Sequence, residues 1–164
     1  MLGIKTILHP TDFSERSALA FRLACSLARD YGARLVVVHI VPVSTVYYGE
    51  GVMVSPPPED QEALREQLLQ LQPRDAKVAV EHRLLKGDAA TEIVDVAEET
   101  KADVIVIGSH GRTGLARLLL GSVAEKVMRK APCPVVTVRA PLSQLISSEE
   151  VSQEKASGTA PVSR

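Results

Sequence analysis

Residues 35–41 read Leu-Val-Val-Val-His-Ile-Val, an apolar run broken by a single histidine. Such a run is far too short for a bilayer, which takes roughly 20 apolar residues. It is rich in β-branched side chains and shows no alternation of apolar and polar positions. It therefore reads as a strand buried on both faces. Strands of that kind belong to parallel sheets covered by helices on either side. Parallel neighbours cannot be joined by a tight turn; each needs a longer crossover, usually a helix. The rest of the chain has to alternate strand with helix, and its pattern does so.

A short apolar run at residues 4–9 is the expected first strand, broken by Pro10-Thr11-Asp12. Ser14 can cap a helix reaching Tyr31, in which Ala18, Phe21, Cys25 and Ala28 fall at helical spacing. Gly32 fits a left-handed stop. Residues 35–41 are the second strand, 59–71 the second helix and 77–85 the third strand. Gly87-Asp88 caps a third helix over 89–101. Residues 103–107 are the fourth strand, 122–130 the fourth helix and 134–138 the fifth strand. The order β-α-β-α-β-α-β-α-β predicts an α/β fold: a doubly wound five-stranded parallel sheet with helices on both faces and right-handed crossovers. This domain is expected over residues 1–140. Two segments stand apart. Residues 42–58 hold Gly49, Gly51, two adjacent tyrosines and three successive prolines, and read as one long loop. Residues 141–164 are rich in Ser, with Glu149, Glu150, Glu154 and Lys155. They read as a partly helical or disordered tail, or alternatively as a tail that binds a partner.

Composition excludes several classes. Aromatic residues make up only 3% of the chain, so the core has to be aliphatic. The formal net charge is −1, which offers no clustered positive field for nucleic acid. No stretch is long and apolar enough for a membrane span. Two cysteines, Cys25 and Cys133, are too few for a secreted disulfide framework, so free buried thiols in a reducing compartment are expected. Residues 1–9 carry one Lys and no signal-peptide pattern, and the expected location is the cytoplasm.

In doubly wound sheets, ligands sit beyond the carboxyl ends of the strands, where the strand order reverses. Two loops able to reach such a place have unusual chemistry. One is Pro10-Thr11-Asp12. The other is Gly108-Ser109-His110-Gly111-Arg112-Thr113-Gly114, which leads on to Gly121-Ser122-Val123 at the start of the fourth helix. The pattern is Gly, two residues, Gly, nine residues, Gly-Ser. Glycine lets backbone amides approach an anion closely. A helix start presents unpaired N–H groups and a partial positive charge, and phosphates bind there. Ser122 adds a hydroxyl, and His110, Arg112 and Arg117 can add positive potential if they point inward. The plainer reading is a tight strand-to-helix turn. The pattern is not a Walker P-loop, because no Lys follows the last glycine, and no Gly-x-Gly-x-x-Gly follows the first strand.

These stretches resemble the universal stress proteins of the ATP-binding kind. The resemblance is carried by Ile7-Leu-His-Pro-Thr-Asp-Phe-Ser14, Asp103-Val-Ile-Val-Ile-Gly-Ser-His-Gly-Arg-Thr-Gly114, Leu-Leu-Gly-Ser-Val123 and Pro132-Cys-Pro-Val-Val136. It implies the strand order 3-2-1-4-5, with the first and fourth strands adjacent at the switch point. It implies that Pro10, Thr11, Asp12 and Val41 line the adenine side. Ile107, Gly108, Ser109, His110, Gly111, Arg112 and Thr113 would hold ribose and phosphates. Gly121, Ser122 and Val123 would hold the outer phosphates, with a divalent metal, Mg or Mn, carried by the ATP. It further implies a homodimer through the fifth strand, Val135–Val138, whose apolar edge needs a cover.

His9, His39, His82 and His110 could be taken for metal ligands. They lack zinc spacing, and hydrogen-bonded core histidines are the expectation. A triad of Ser122, His110 and Asp12 lacks the Gly-x-Ser-x-Gly elbow. No residue is assigned a catalytic role. The chain reads as an ATP-binding regulatory protein of the stress response with little turnover. The alternative is a slow ATPase or autophosphorylating enzyme on the same site. A dimeric scaffold with a vestigial pocket is a third reading.

Overall fold

A computed structural model of the protein describes residues 3–43, 46–48, 52–54, 61–109 and 120–139. In chain order the elements are β1 (Thr6–Pro10), α1 (Glu15–Tyr31), β2 (Arg34–Pro42), β3 (Val46–Tyr48), β4 (Val52–Val54), α2 (Gln61–Leu69), β5 (Val80–Gly87), α3 (Ala89–Thr100), β6 (Val104–Gly108), α4 (Ser122–Lys130) and β7 (Val135–Val138). Five strands form one sheet in the order β5-β2-β1-β6-β7, and all neighbours are parallel. Counted along the sheet strands, that order is 3-2-1-4-5.

The two faces of the sheet separate by the alternation of its side chains. Ile7, Leu35, Val37, Val104 and Val106 face α1 and α2, meeting Ala20, Ala24, Ala28 and Leu68. Leu8, Val36, Val38, Ile105 and Ile107 face α3 and α4, meeting Ala90, Ile93, Val96, Ala97, Ala124 and Val127. The 35–41 run is apolar throughout because β2 lies second in the sheet and is covered on both sides. Leu35, Val36, Val37 and Val38 are all fully buried. Each such side chain stabilises the fold by roughly 1.5–3 kcal/mol.

Local chemistry sets the helix ends. The Ser17 amide donates to Ser14 Oγ at 3.2 Å, and Gly32 closes α1 at φ 64°. Asp88 caps α3 by accepting from the Thr91 amide at 3.1 Å. Lys101 is not the last helical residue but the left-handed cap, at φ 52°.

Three expectations are corrected. Residues 42–58 are not a plain loop, because β3 and β4 pair antiparallel with Tyr48 opposite Val52. Val46-Tyr-Tyr48 and Val52-Met-Val54 are strand formers. The third sheet strand begins at Val80 rather than at residue 77. Asp75 holds the preceding residues in a turn, accepting from the Lys77 amide at its carboxylate (2.9 Å) and from the Val78 amide at its carbonyl (3.1 Å). Cys25 and Cys133 are free but half-buried rather than buried. Burial pushes the Cys25 thiol up to about 12, so it is inert as a nucleophile. Residues 141–164 lie outside the described residues.

Candidate functional site

β1 leads to β2 and β5 on one side of the sheet, and β6 leads to β7 on the other. A crevice therefore opens between the carboxyl ends of β1 and β6. A pocket of about 440 Å³ lies there, within the usual range for small-molecule sites. Its wall contains three groups: the turn after β1, the ends of β2 and β6, and the first turns of α3 and α4.

Pro10, Thr11 and Asp12 line the pocket. The turn they form is held from within. The Ser14 amide donates to Asp12 Oδ1 (3.0 Å), while the Phe13 amide and the Ser17 hydroxyl both donate to Thr11 Oγ1 (3.1 and 2.8 Å). Phe13 sits at φ 61°, a conformation that costs a bulky residue on the order of 1–3 kcal/mol. Its ring packs on the His39 imidazole with centroids 4.4 Å apart.

Ile107, Gly108 and Ser109 line the pocket from the end of β6. The Ser109 carbonyl accepts the Gly121 amide at 2.7 Å, which brings the end of β6 against the start of α4. Gly121, Ser122 and Val123 complete that wall. Gly121 is the N-cap of α4, with no side chain to occupy the first-turn amides. Its φ of −59° and ψ of 147° suit any residue, so glycine is useful there for its bareness alone. His110, Gly111, Arg112, Thr113 and Arg117 lie outside the described residues.

Val41 is not among the lining residues, whereas Ile40 and Pro42 are. The ladder explains why. The Leu35 amide bonds to Ala79 beside β5, while Val38 accepts from Thr11 beside β1. Successive residues of a strand point their backbone groups to opposite neighbours. Val41 therefore turns to β5, and Ile40 turns its N–H and C=O to the β1 side. The groups that would continue the ladder against Ile40 are the Thr11 carbonyl and the Phe13 amide. The first accepts His39 Nδ1–H at 2.7 Å, and the second donates to Thr11 Oγ1. Among the described residues neither the Ile40 amide nor its carbonyl continues the backbone ladder to the β1 side, and Ile40 lines the pocket. Ser17, His39, Ala89, Ile93 and Ala124 also line it. Only the period of the helix faces could have hinted at Ser17, Ala89, Ile93 and Ala124 in the sequence, while His39 sits inside the apolar run of β2.

The pocket is divided in character. Pro10, Ile40, Pro42, Ala89 and Ile93 supply apolar surface, while Thr11, Asp12, Ser109, Ser122 and the α4 amides are polar. Of the histidines, His9 Nδ1 bonds the Val106 carbonyl (2.9 Å) and His82 Nε2 the Leu71 carbonyl (2.8 Å). Among the described residues no three His, Cys, Asp or Glu side chains converge as a metal site. Among them, too, no helix is long and apolar enough to cross a membrane.

Comparison with known proteins agrees with the fold. The family model described as "Universal stress protein family" matches residues 3–139. Universal stress protein MJ0531 of Methanocaldococcus jannaschii is 39% identical over 143 residues, covering 84% of this chain and 83% of its own. A universal stress protein of Archaeoglobus fulgidus, solved in complex with dAMP, is 29% identical with a TM-score of 0.62, covering 84% of this chain and 99% of its own. A universal stress protein solved in complex with cAMP is 25% identical with a TM-score of 0.63, covering 84% of this chain and 98% of its own. The chain belongs to the universal stress protein family.

Proposed function

We propose that the protein is an ATP-binding regulatory module of the stress response, switching conformation or partners with nucleotide occupancy and turning over little or no ATP. The observation that carries this reading is the pairing of two features across one pocket. At one end, Ile40 lines the pocket beside Pro42 and Ile93, with its N–H and C=O on the β1 side of the ladder. An adenine ring fits there, its N1 accepting from the Ile40 amide and its 6-amino group donating to the Ile40 carbonyl. At the other end, the first turn of α4 offers amides and the Ser122 hydroxyl to phosphate oxygens. Relatives solved with dAMP and cAMP support an adenine nucleotide as the class of ligand.

A divalent ion would arrive on the phosphates. Asp12 and Ser122 are side-chain oxygen groups in the pocket wall near which it would come to rest. Phosphoryl transfer needs a group that positions water and a charge that stabilises the transferring phosphate. Neither is evident among the described lining residues, which favours the module over the slow ATPase. In the same reading the chain dimerises through the edge of β7 and works in the cytoplasm, where its two free thiols suit a reducing environment.

The test is calorimetric titration of nucleotide-stripped protein with Mg-ATP, followed by chromatography of the mixture for ADP after prolonged incubation. Saturable binding with intact ATP is expected. Steady ADP release that disappears in Gly121→Val would replace the module with the enzyme. Absence of binding would reduce the glycine loop to a structural turn.

A further inference from the structure

The seam between β1 and β6 stops one step early, and a side chain takes over from the backbone. The register pairs Ile7 with Val104 and Leu8 with Ile105. One step on, a parallel ladder directs the Val106 carbonyl to the nitrogen of residue 10. That residue is proline, with no N–H to give. His9 Nδ1–H fills the gap, donating to the Val106 carbonyl at 2.9 Å. A carbonyl can only accept, so neutral His9 carries its proton on Nδ1 and a bare lone pair on Nε2. His9 is completely buried, and among the described residues Nε2 has no hydrogen-bond partner. The Phe21 ring of α1 packs beside it, with centroids 5.6 Å apart. A proton on Nε2 would place a cation and an unpaired donor in that setting.

We propose that His9 is a positioning residue for the pocket: its imidazole clamps β1 to β6 beneath Pro10, Thr11 and Gly108, and protonation at Nε2 releases the clamp and loosens the pocket floor. The consequence for nucleotide binding rests on the reading given above; the clamp itself does not. Burial lowers the pKa of His9 from 6.5 to about 4, against the opposing pull of the Val106 carbonyl and the charge of Asp12. No titratable side chain comes from β6, whose residues are Val-Ile-Val-Ile-Gly. From β2, His39 turns its Nδ1 to Thr11, and α1 presents the Phe21 ring. The closed seam requires neutral His9, whereas an opened seam exposes an ordinary imidazole. As pH falls below 6.5 the opened form takes up the proton first. The opening equilibrium then rises up to about tenfold per pH unit until about pH 4.

The experiment is native-state hydrogen exchange of the full chain by NMR, from pH 7.5 to 4.5, corrected for intrinsic exchange rates. It reads the Leu8 and Val106 amides, which cross the seam, with β2–β5 amides as reference. Wild type should open its seam close to tenfold more per unit below pH 6.5. His9→Asn, which keeps a donor near the Nδ1 position but does not titrate, should show no such rise. His9→Phe, lacking the donor, should open the seam at every pH. The wild-type imidazole resonances of His9 should stay neutral down to about pH 5. Equal pH dependence in wild type and His9→Asn, or a His9 ring titrating near 6.5, would overturn the clamp. ATP added at pH 7.5 should slow seam opening in wild type and in His9→Asn alike. If ATP leaves it unchanged while the pH arm holds, the nucleotide reading fails and the clamp stands.

Discussion

At Gly108 a methyl group would lie 3.2 Å from the Arg16 carbonyl carbon and 3.2 Å from the Ser17 amide nitrogen. Both are backbone atoms at the start of α1, and neither can swing aside. Gly108→Ala should therefore push α1 from the sheet and cost about 1–3 kcal/mol in urea denaturation. Gly121 is bare for a different reason, since its backbone angles suit any residue. Gly121→Val should leave the denaturation midpoint near that of wild type and weaken ATP binding by more than about tenfold, equivalent to about 1.4 kcal/mol. Isothermal titration of both variants separates the two roles. Asp103 accepts from the Lys5 and Thr6 amides at 2.8 and 2.9 Å, which hold its carboxyl below the usual range. A lowered folded-state pKa stabilises above the ordinary carboxylate value and loses that contribution as pH falls through the folded value. Asp103→Asn should accordingly lower stability at neutral pH and flatten the acid limb of the stability curve.

Among the elements, α1 shows how much of a helix can be written locally. Ser14 at its start and Gly32 at its end both act as the sequence suggests, and Ala20, Ala24 and Ala28 form a fully buried face that lets it lie close to the sheet. Ser14→Ala should cost about 1 kcal/mol through the lost cap. In the sheet, fully buried Ile105 packs among α3 and α4 side chains, and Ile105→Ala should cost about 2–5 kcal/mol. Thermal or urea unfolding measures both. The strands and helices of the sheet layer were legible because burial on one or two faces imposes a period on the residues. The β3–β4 hairpin was not, because Gly49, Gly51 and the prolines nearby outweighed two short runs of strand formers. The start of β5 lies later than its composition suggests because Asp75 takes the Lys77 amide at its carboxylate and the Val78 amide at its carbonyl.

At the scale of the whole molecule, the two sheet edges differ in chemistry. β5 carries Glu81, Arg83 and Lys86, and Arg83 bonds both Glu81 and Glu99. β7 reads Val-Val-Thr-Val with Val136 exposed, an edge without charge. The proposed dimer uses β7, and Val136→Lys should shift the sedimenting species from dimer to monomer without loss of helical signal. A sedimentation profile unchanged by Val136→Lys would place any dimer contact elsewhere. The pocket was legible in part. Pro10, Thr11, Asp12 and Gly121 announce themselves as turn and helix-start residues. Ile40 does not, since it is a buried residue inside an apolar run, and its place in the pocket wall follows from where β2 ends beside β1. Val41, expected on the adenine side, is not among the residues that line the pocket, whereas its neighbours Ile40 and Pro42 are. The most direct measurement is a titration of isotopically labelled protein with Mg-ATP, followed through the backbone amide resonances. The account predicts saturable shifts at Ile40, Ser122 and Val123, with β5 amides unmoved. Saturation that leaves Ile40 and the α4 amides unmoved, or no shifts at all, would contradict it.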